Sequence, residues 1–269
     1  MIQVLTIAGS DSGGGAGVQA DIKSIHANGG YALSVITSVT AQNSLEITRA
    51  YDLPSDVIEA QLNAVFTDFE VSAVKTGMLS SLSIVQTVAR KLQEFEVENI
   101  VIDPVMTSKS KFSLLETEAI DHLIADLISL AKLVTPNLHE AELLAKRKIE
   151  TLDDAKRAAE IIHSFGCGAV LVKGGHLPGN RSTDVLYDEG EFTLFDEARI
   201  ETNNTHGTGC TYSAAIATRL ALGLNMVEAV AAAKEYITNA IREGLNIGHG
   251  HGPTNHFYFL GRDWHKAKS

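Results

Sequence analysis

Short apolar runs alternate with amphipathic stretches along almost the whole chain. VLTIAG (Val4–Gly9) predicts a strand and Ala16–Asn28 the helix after it. ALSVITSV (Ala32–Val39) is a second strand, followed by a helix over Ser55–Phe66 that Pro54 and Ser55 begin. AVKTG with Ser83–Phe95, NIVIDPV with Glu116–Leu130, and KLVTPN with Leu138–Ala145 repeat the unit, and Asp153–Phe165 precedes the strand AVLVKGG. Strands bounded by Gly, Pro and Asn that alternate with helices predict an α/β fold. Its central, mainly parallel sheet is flanked by helices on both faces. DVLYDEGEFTLF (Asp184–Phe195) alternates apolar and polar around Asp188–Gly190, which predicts a β-hairpin at the sheet edge. No linker, repeat or low-complexity tract divides the chain, so one domain over residues 1–269 is expected.

In such sheets ligands bind beyond the carboxyl ends of the strands. The polar groups predicted there are Gly9–Asp11, Thr76–Met78, Asp103–Met106, Pro136–Glu140 and Lys173–His176. The most informative stretch is NNTHGTGCTYSAA (Asn203–Ala215), read as a glycine loop feeding a helix from Tyr212 to Leu222. Unpaired N–H groups and the positive end of a helix dipole make such a junction an anion site. Cys210, in the middle of that loop, supplies a titratable side chain where anions are favoured. A helix N-terminus is expected to lower its pKa from about 8.5 toward neutrality.

The other motifs are weaker. GSDSGGGAG (Gly9–Gly17) is neither a P-loop nor a clean GxGxxG, yet its five glycines suggest close backbone approach to a ligand. Asp21, in the helix after it, reads as a solvated surface carboxylate or as a ligand contact. Asp103 ends a strand, and Asn137 and Glu140 lie one turn apart as either a capping box or hard oxygen ligands for Mg²⁺. Lys173 at a strand end needs a partner for its charge, and phosphate is the simplest. His249 and His251 in GHGHGP lack rigid two-ligand geometry, so a closing loop explains them better than zinc.

Composition narrows the function. Of 269 residues 45% are hydrophobic and 20% charged, ordinary for a globular protein, with no apolar run long enough to span a bilayer. The N-terminus carries no basic leader, so membrane insertion and secretion are not expected. A net charge of −11 without a basic stripe argues against a general nucleic-acid binder but not against ATP. Two cysteines, Cys167 read as a core thiol and Cys210, fit a reducing cytoplasm.

TIAGSDSGGGAGVQADIK, VTAQNS, KTGML, DPVM, TPNLHEAE, VKGGH, NTHGTGCTYSAAIA and GHGHGPTNHF occur in this order between Leu5 and Phe257. Together they resemble the hydroxymethylpyrimidine/phosphomethylpyrimidine kinases of thiamin biosynthesis, in the ribokinase-like superfamily. The resemblance implies ATP- and Mg²⁺-dependent phosphorylation of a pyrimidine hydroxymethyl group, then of the monophosphate. It implies that Asp21 and Gln42 hold the pyrimidine, with Met78 on its ring and Gly9 beside it. Asp103, Glu140 and Asn137 would organise Mg²⁺, and Lys173 and Thr208 would face the phosphates. Gly207, Thr208, Gly209 and Cys210 would supply the anion-hole amides, with Cys210 as base. A homodimer is implied as well. The chain departs from the family pattern at TSKSKFSLL (Thr107–Leu115). Pyridoxal kinase is the nearest rival, and Gln42 favours the pyrimidine. A Rossmann oxidoreductase lacks its fingerprint here, and a non-catalytic sensor does not explain the Cys210, Lys173, Asp103 and Glu140 set.

Overall fold

The computed structural model describes residues 1–106, 117–175, 177 and 179–260. Nine strands form one sheet: β1 (Gln3–Asp11), β2 (Tyr31–Gln42), β3 (Ile47–Asp52), β4 (Val71–Thr76), β5 (Ile100–Ile102), β6 (Leu133–Val134), β7 (Ala169–Val172), β8 (Arg181–Asp188) and β9 (Glu191–Ala198). Their order is β3-β2-β1-β4-β5-β6-β7-β8-β9. The run from β2 to β7 is parallel, while β3 at one edge and β8–β9 at the other are antiparallel.

Period-two alternation sends the side chains of each central strand into two cores. Leu5, Ile7, Val170 and Val172 face the first core, and Val4, Ala169 and Leu171 face the second. Helices α2 (Ser55–Phe66), α3 (Leu82–Glu94), α4 (Thr117–His122), α5 (Leu138–Ala145) and α6 (Leu152–His163) supply the first. The second is covered by α1 (Gly17–Ala27), α7 (Thr208–Ala221) and α8 (Met226–Arg242). Every residue of α7 from Thr211 to Thr218 is buried. Its small side chains let it lie close against the sheet with α1 and α8 on either side.

The predicted layers are present, with five differences. Helix α7 starts at Thr208, not Tyr212, because Gly207 at φ 74° turns the chain straight into the helix. Cys210 therefore lies in the first helical turn rather than in a loop. The stretch read as a helix over Glu116–Leu130 is a short α4 continued by a π turn (Leu123–Leu127) and a 3₁₀ turn (Ile128–Leu130). Strand β3 and helix α8 were not anticipated. Yet Asn225 and Glu228 form a capping box that marks the start of α8 in the sequence. The hairpin is as expected but longer, turning at Glu189 and Gly190, both at positive φ as a type I′ turn requires.

Asp21 corrects a reading. It is no surface carboxylate: it points from α1 into the second layer and is fully buried. Its oxygens lie 2.8 and 3.0 Å from the equally buried Lys75 Nζ, and Thr6 Oγ1 donates to it at 2.5 Å. Removing one member of such a pair strands a charge in low dielectric, costing about 3–5 kcal/mol. Lys75→Met is expected to lower stability by that amount in urea unfolding. Adding Asp21→Leu to it should restore most of the loss, and an unperturbed single variant would contradict the pairing.

Candidate active site

The carboxyl ends of β1, β4, β5 and β7 converge on the first turn of α7. At its centre Lys173 Nζ donates to Asp103 Oδ1 at 2.7 Å, with both side chains largely buried. Thr135 Oγ1 donates to the same oxygen at 3.3 Å and Ser213 Oγ to the other at 3.4 Å. Burial opposes the charge on Asp103, but Lys173 and then Lys75 outweigh it and hold the carboxyl below its usual range. Gly209 presses its backbone against this pair. A Cβ there would meet Lys173 Nζ at 3.3 Å and Asp103 Oδ2 at 3.4 Å. Glycine at this position lets the first turn of α7 lie close against the pair, and the N–H groups of that turn are the kind of donors an anion needs.

Asn137 and Glu140 form the capping box of α5, with Asn137 N donating to Glu140 Oε2 at 2.8 Å and Glu140 N to Asn137 Oδ1 at 2.9 Å. Lys173 N donates to Pro136 O, which sets this cap beside the central ion pair. Burial, reinforced by the charge of Asp103 and opposed by Lys173, pushes the Glu140 carboxyl up to about 7. The two glycine loops lock together nearby. A Cβ on Gly207 would lie 1.7 Å from Gly15 O, and one on Gly17 2.2 Å from Gly9 O, so neither position admits a side chain. Asp11 ties the first loop down by accepting from the N–H groups of Gly13, Gly15 and Ala16. It also lies 2.8 Å from His206 Nε2 of the second loop.

On the other side of the first glycine loop Met78 packs against Gly9, where a Cβ would come within 3.2 Å of its sulfur. Met78 clusters with Ile47 and Val105. The Gln42 carboxamide lies between Thr40 and His206. The GHGHGP segment closes over this corner, with the N–H groups of His249 and Gly250 donating to Ser44 Oγ and that of His251 to Ser44 O. Among the described residues no cluster of three His, Cys, Asp or Glu side chains forms a metal site.

Residues 11–255 match the Phosphomethylpyrimidine kinase family. The chain belongs to that family. It is 48% identical to the hydroxymethylpyrimidine/phosphomethylpyrimidine kinase of Rhizobium meliloti over 96% of this chain and 98% of that one. It is 47% identical to the Thiamine biosynthesis bifunctional protein ThiED of Geobacter sulfurreducens, covering 94% of this chain but only 52% of that longer protein. Among solved structures it is similar to the ADP complex of Bacillus subtilis pyridoxal kinase, with a TM-score of 0.91 and 39% identity over 97% of this chain and 99% of that one.

As a phosphomethylpyrimidine kinase family member, the chain brings most of the anticipated residues together. Gly207, Thr208, Gly209 and Cys210 begin α7. Lys173, Asp103, Asn137 and Glu140 converge beside them, and Gly9, Met78 and Gln42 gather on the other side. Asp21 does not join the pocket lining, since its carboxylate is taken up by Lys75 and Thr6 beneath the floor. The Thr208 hydroxyl is likewise engaged, donating to Thr205 O at 2.7 Å. His176 and the divergent stretch Thr107–Leu115 lie outside the described residues. Sequence reading placed Asp11 among the strand-end groups without giving it or His206 a role, and missed Lys75 and Ser213. An aspartate ahead of three glycines and a histidine ahead of Gly-Thr-Gly were the available signals for the first two.

The Cys210 thiol also departs from expectation. Burial pushes it up to about 11. Lys75 and a hydrogen bond to Gly17 oppose the shift, while the negative charges of Asp21 and Asp103 add to it. The helix N-terminus does not bring it to neutrality, so the thiol is protonated at pH 7. Alkylation of Cys210, followed by peptide mass, should therefore quicken about tenfold per pH unit between pH 7 and 9. A rate that levels off near pH 7 would restore the thiolate.

Proposed function

We propose that this chain transfers the γ-phosphoryl group of ATP to the hydroxymethyl group of 4-amino-5-hydroxymethyl-2-methylpyrimidine. A second transfer to the resulting monophosphate would complete its part in thiamin biosynthesis. The observation that carries the reading is the buried Lys173–Asp103 pair set against Gly209 at the start of α7. It supplies a fixed cation, a fixed anion and the N–H groups of the first turn of α7 around one small space, which suits a phosphate undergoing transfer. The family relatives with hydroxymethylpyrimidine/phosphomethylpyrimidine kinase names support the substrate, as does Gln42, whose carboxamide both donates and accepts.

Mg²⁺ fits the donor set here. Asp103 and Glu140 are hard oxygen donors near Lys173, and fewer than three protein ligands suit an ion that keeps waters and phosphate oxygens. When bound it neutralises charge on the transferring phosphate. Lys173 would hold the phosphate oxygens, and the amides of Thr208, Gly209 and Cys210 would receive charge developing on them. Because the thiol is neutral, Cys210 serves to aim the acceptor hydroxyl, whose proton passes to the transferred phosphoryl oxygen. A loose transition state needs this positioning more than base strength. We assign the kinase as one domain, a homodimer working in the cytoplasm.

A second reading, pyridoxal phosphorylation, is favoured by the close structural match to Bacillus subtilis pyridoxal kinase. ADP release from Mg-ATP, with the pyrimidine and with pyridoxal in parallel, separates the two. A kcat/KM ratio of at least about tenfold toward the pyrimidine, worth ~1.4 kcal/mol in the transition state, is expected. A preference for pyridoxal would move the enzyme to vitamin B6 salvage. Cys210→Ala should lower kcat about a hundredfold with KM little changed; unaltered turnover would remove Cys210 from the reaction. Glu140→Gln should raise the half-saturating Mg²⁺ concentration about tenfold, and an unchanged Mg²⁺ requirement would exclude it from the metal site.

A further inference from the structure

Lys173 is aimed by the backbone on either side of it. Its own N–H is taken by Pro136 O at 2.9 Å, just past the end of β6. The next N–H, that of Gly174, lies beyond Val172, the last residue of β7 paired with β8. A buried N–H needs an acceptor even where the ladder has ended. Here a side chain supplies it, and Gly174 N donates to Asp184 Oδ1 at 2.9 Å. A Cβ on Gly174 would lie 1.6 Å from Thr183 O, so the chain is pressed flat on β8 beside that carboxylate.

Asp184 is itself fixed from behind. It is only 2% exposed and lies toward the layer of α7 and α8. Lys234 of α8, buried as well, donates to Asp184 Oδ2 at 2.8 Å and to Ser182 O at 3.0 Å. Tyr212 of α7 turns its phenol toward the same carboxylate, and burial and then the Asp184 charge push that hydroxyl well above its usual range. In such surroundings a hydrophobic pair of similar volume is often as stable as an ion pair, so stability alone does not account for these charges. One oxygen of Asp184 is given to α8 and the other to the peptide that carries Lys173.

We infer that Asp184, anchored by Lys234, is a positioning residue for phosphoryl transfer, holding the Lys173–Gly174 peptide so that the lysine ammonium meets both Asp103 and the transferring phosphate. The clearances show why the peptide must be held. Lys173 Nζ lies 2.7 Å from Asp103 and only 3.3 Å from where a Cβ on Gly209 would stand. A misplacement of about 1 Å at a reacting centre can cost about a hundredfold in rate. Asp184 is enclosed and acts on the reaction only through Lys173. The inference rests on Lys173 facing the phosphates, as proposed above, but the contact to Gly174 can be tested without substrate.

Two double variants separate positioning from stability. Asp184→Leu with Lys234→Met removes both charges and the acceptor. Asp184→Asn with Lys234→Met removes the charges but keeps an oxygen for Gly174 N. The first should unfold in urea near the wild-type midpoint, yet lose at least about tenfold in kcat with the KM of the alcohol substrate unchanged. The second should recover most of that kcat, and equal turnover in the two overturns the proposal. Lys-Gly occurs once in the sequence, at Lys173–Gly174, so ¹³C′-lysine and ¹⁵N-glycine labelling isolates the Gly174 amide in NMR of the full-length enzyme. Its hydrogen exchange should be slow in the wild type and in the second variant, and fast in the first. A rapidly exchanging Gly174 amide in the wild type overturns the proposal, whichever variants fold. If the wild type phosphorylates neither the pyrimidine nor pyridoxal, the proposed function falls, and Gly174 exchange still decides the contact.

Discussion

The ion pair between Lys173 and Asp103 is the constraint around which the site is built. It joins the ends of two strands separated by β6, and 70 residues of chain, at 2.7 Å. Neither charge sits in water, so each is tolerable only with the other in place and with its remaining polar atoms satisfied. Thr135 and Ser213 meet that second demand on Asp103, one from the end of the sheet and one from α7. Glu140 feels both charges, and its raised pKa follows from burial, with the Asp103 charge adding to it and Lys173 opposing it. The register of β5 against β7, the seating of α7 and the cap of α5 thus all answer to one electrostatic requirement.

A parallel sheet makes this possible. Its strands end on the same side, so loops far apart in sequence deliver polar groups to one rim while both faces are filled with apolar side chains. The rim is then narrowed by backbone-on-backbone contact. Gly207 against Gly15 brings the two glycine loops, from opposite ends of the chain, closer than any side chain permits, and Gly17 against Gly9 closes the first loop on itself. The reward is a cluster of N–H groups with no Cβ in the way. Burial of the thiol itself pushes Cys210 up and favours its neutral form.

Beneath the rim a second buried ion pair, Lys75 with Asp21, lies in the layer between the sheet and α1. Lys75 draws Asp103 toward its ionised form and works against the burial that keeps Cys210 protonated. Above the rim, Asp11 and His206 link the glycine loops to the Gln42 corner. The site is therefore layered, with the Lys173–Asp103 pair at its centre, a second buried ion pair beneath it and a hydrogen-bonding edge at the side.

Much of this was readable from residue order alone. Strand and helix periods gave the α/β layers, the N3 glutamate of the Asn137 cap was visible as a spacing, and Glu-Gly between alternating runs marked the hairpin. These features are local, set by side-chain alternation and by a few neighbouring hydrogen bonds. The edge strand β3 was not legible, since only Ile47 in it is buried and its pairing is supplied by β2. Nor was the fate of the titratable groups. Asp21 looked like any helix aspartate until α1 was packed on the sheet beside Lys75, and the Cys210 thiol looked activated until burial raised it. Sequence by itself determined the elements, the family motifs and the residue types at the strand ends. Burial, charge pairing and hydrogen-bond direction were decided only by the tertiary structure, because they depend on how far water is excluded and on partners dozens to hundreds of residues away.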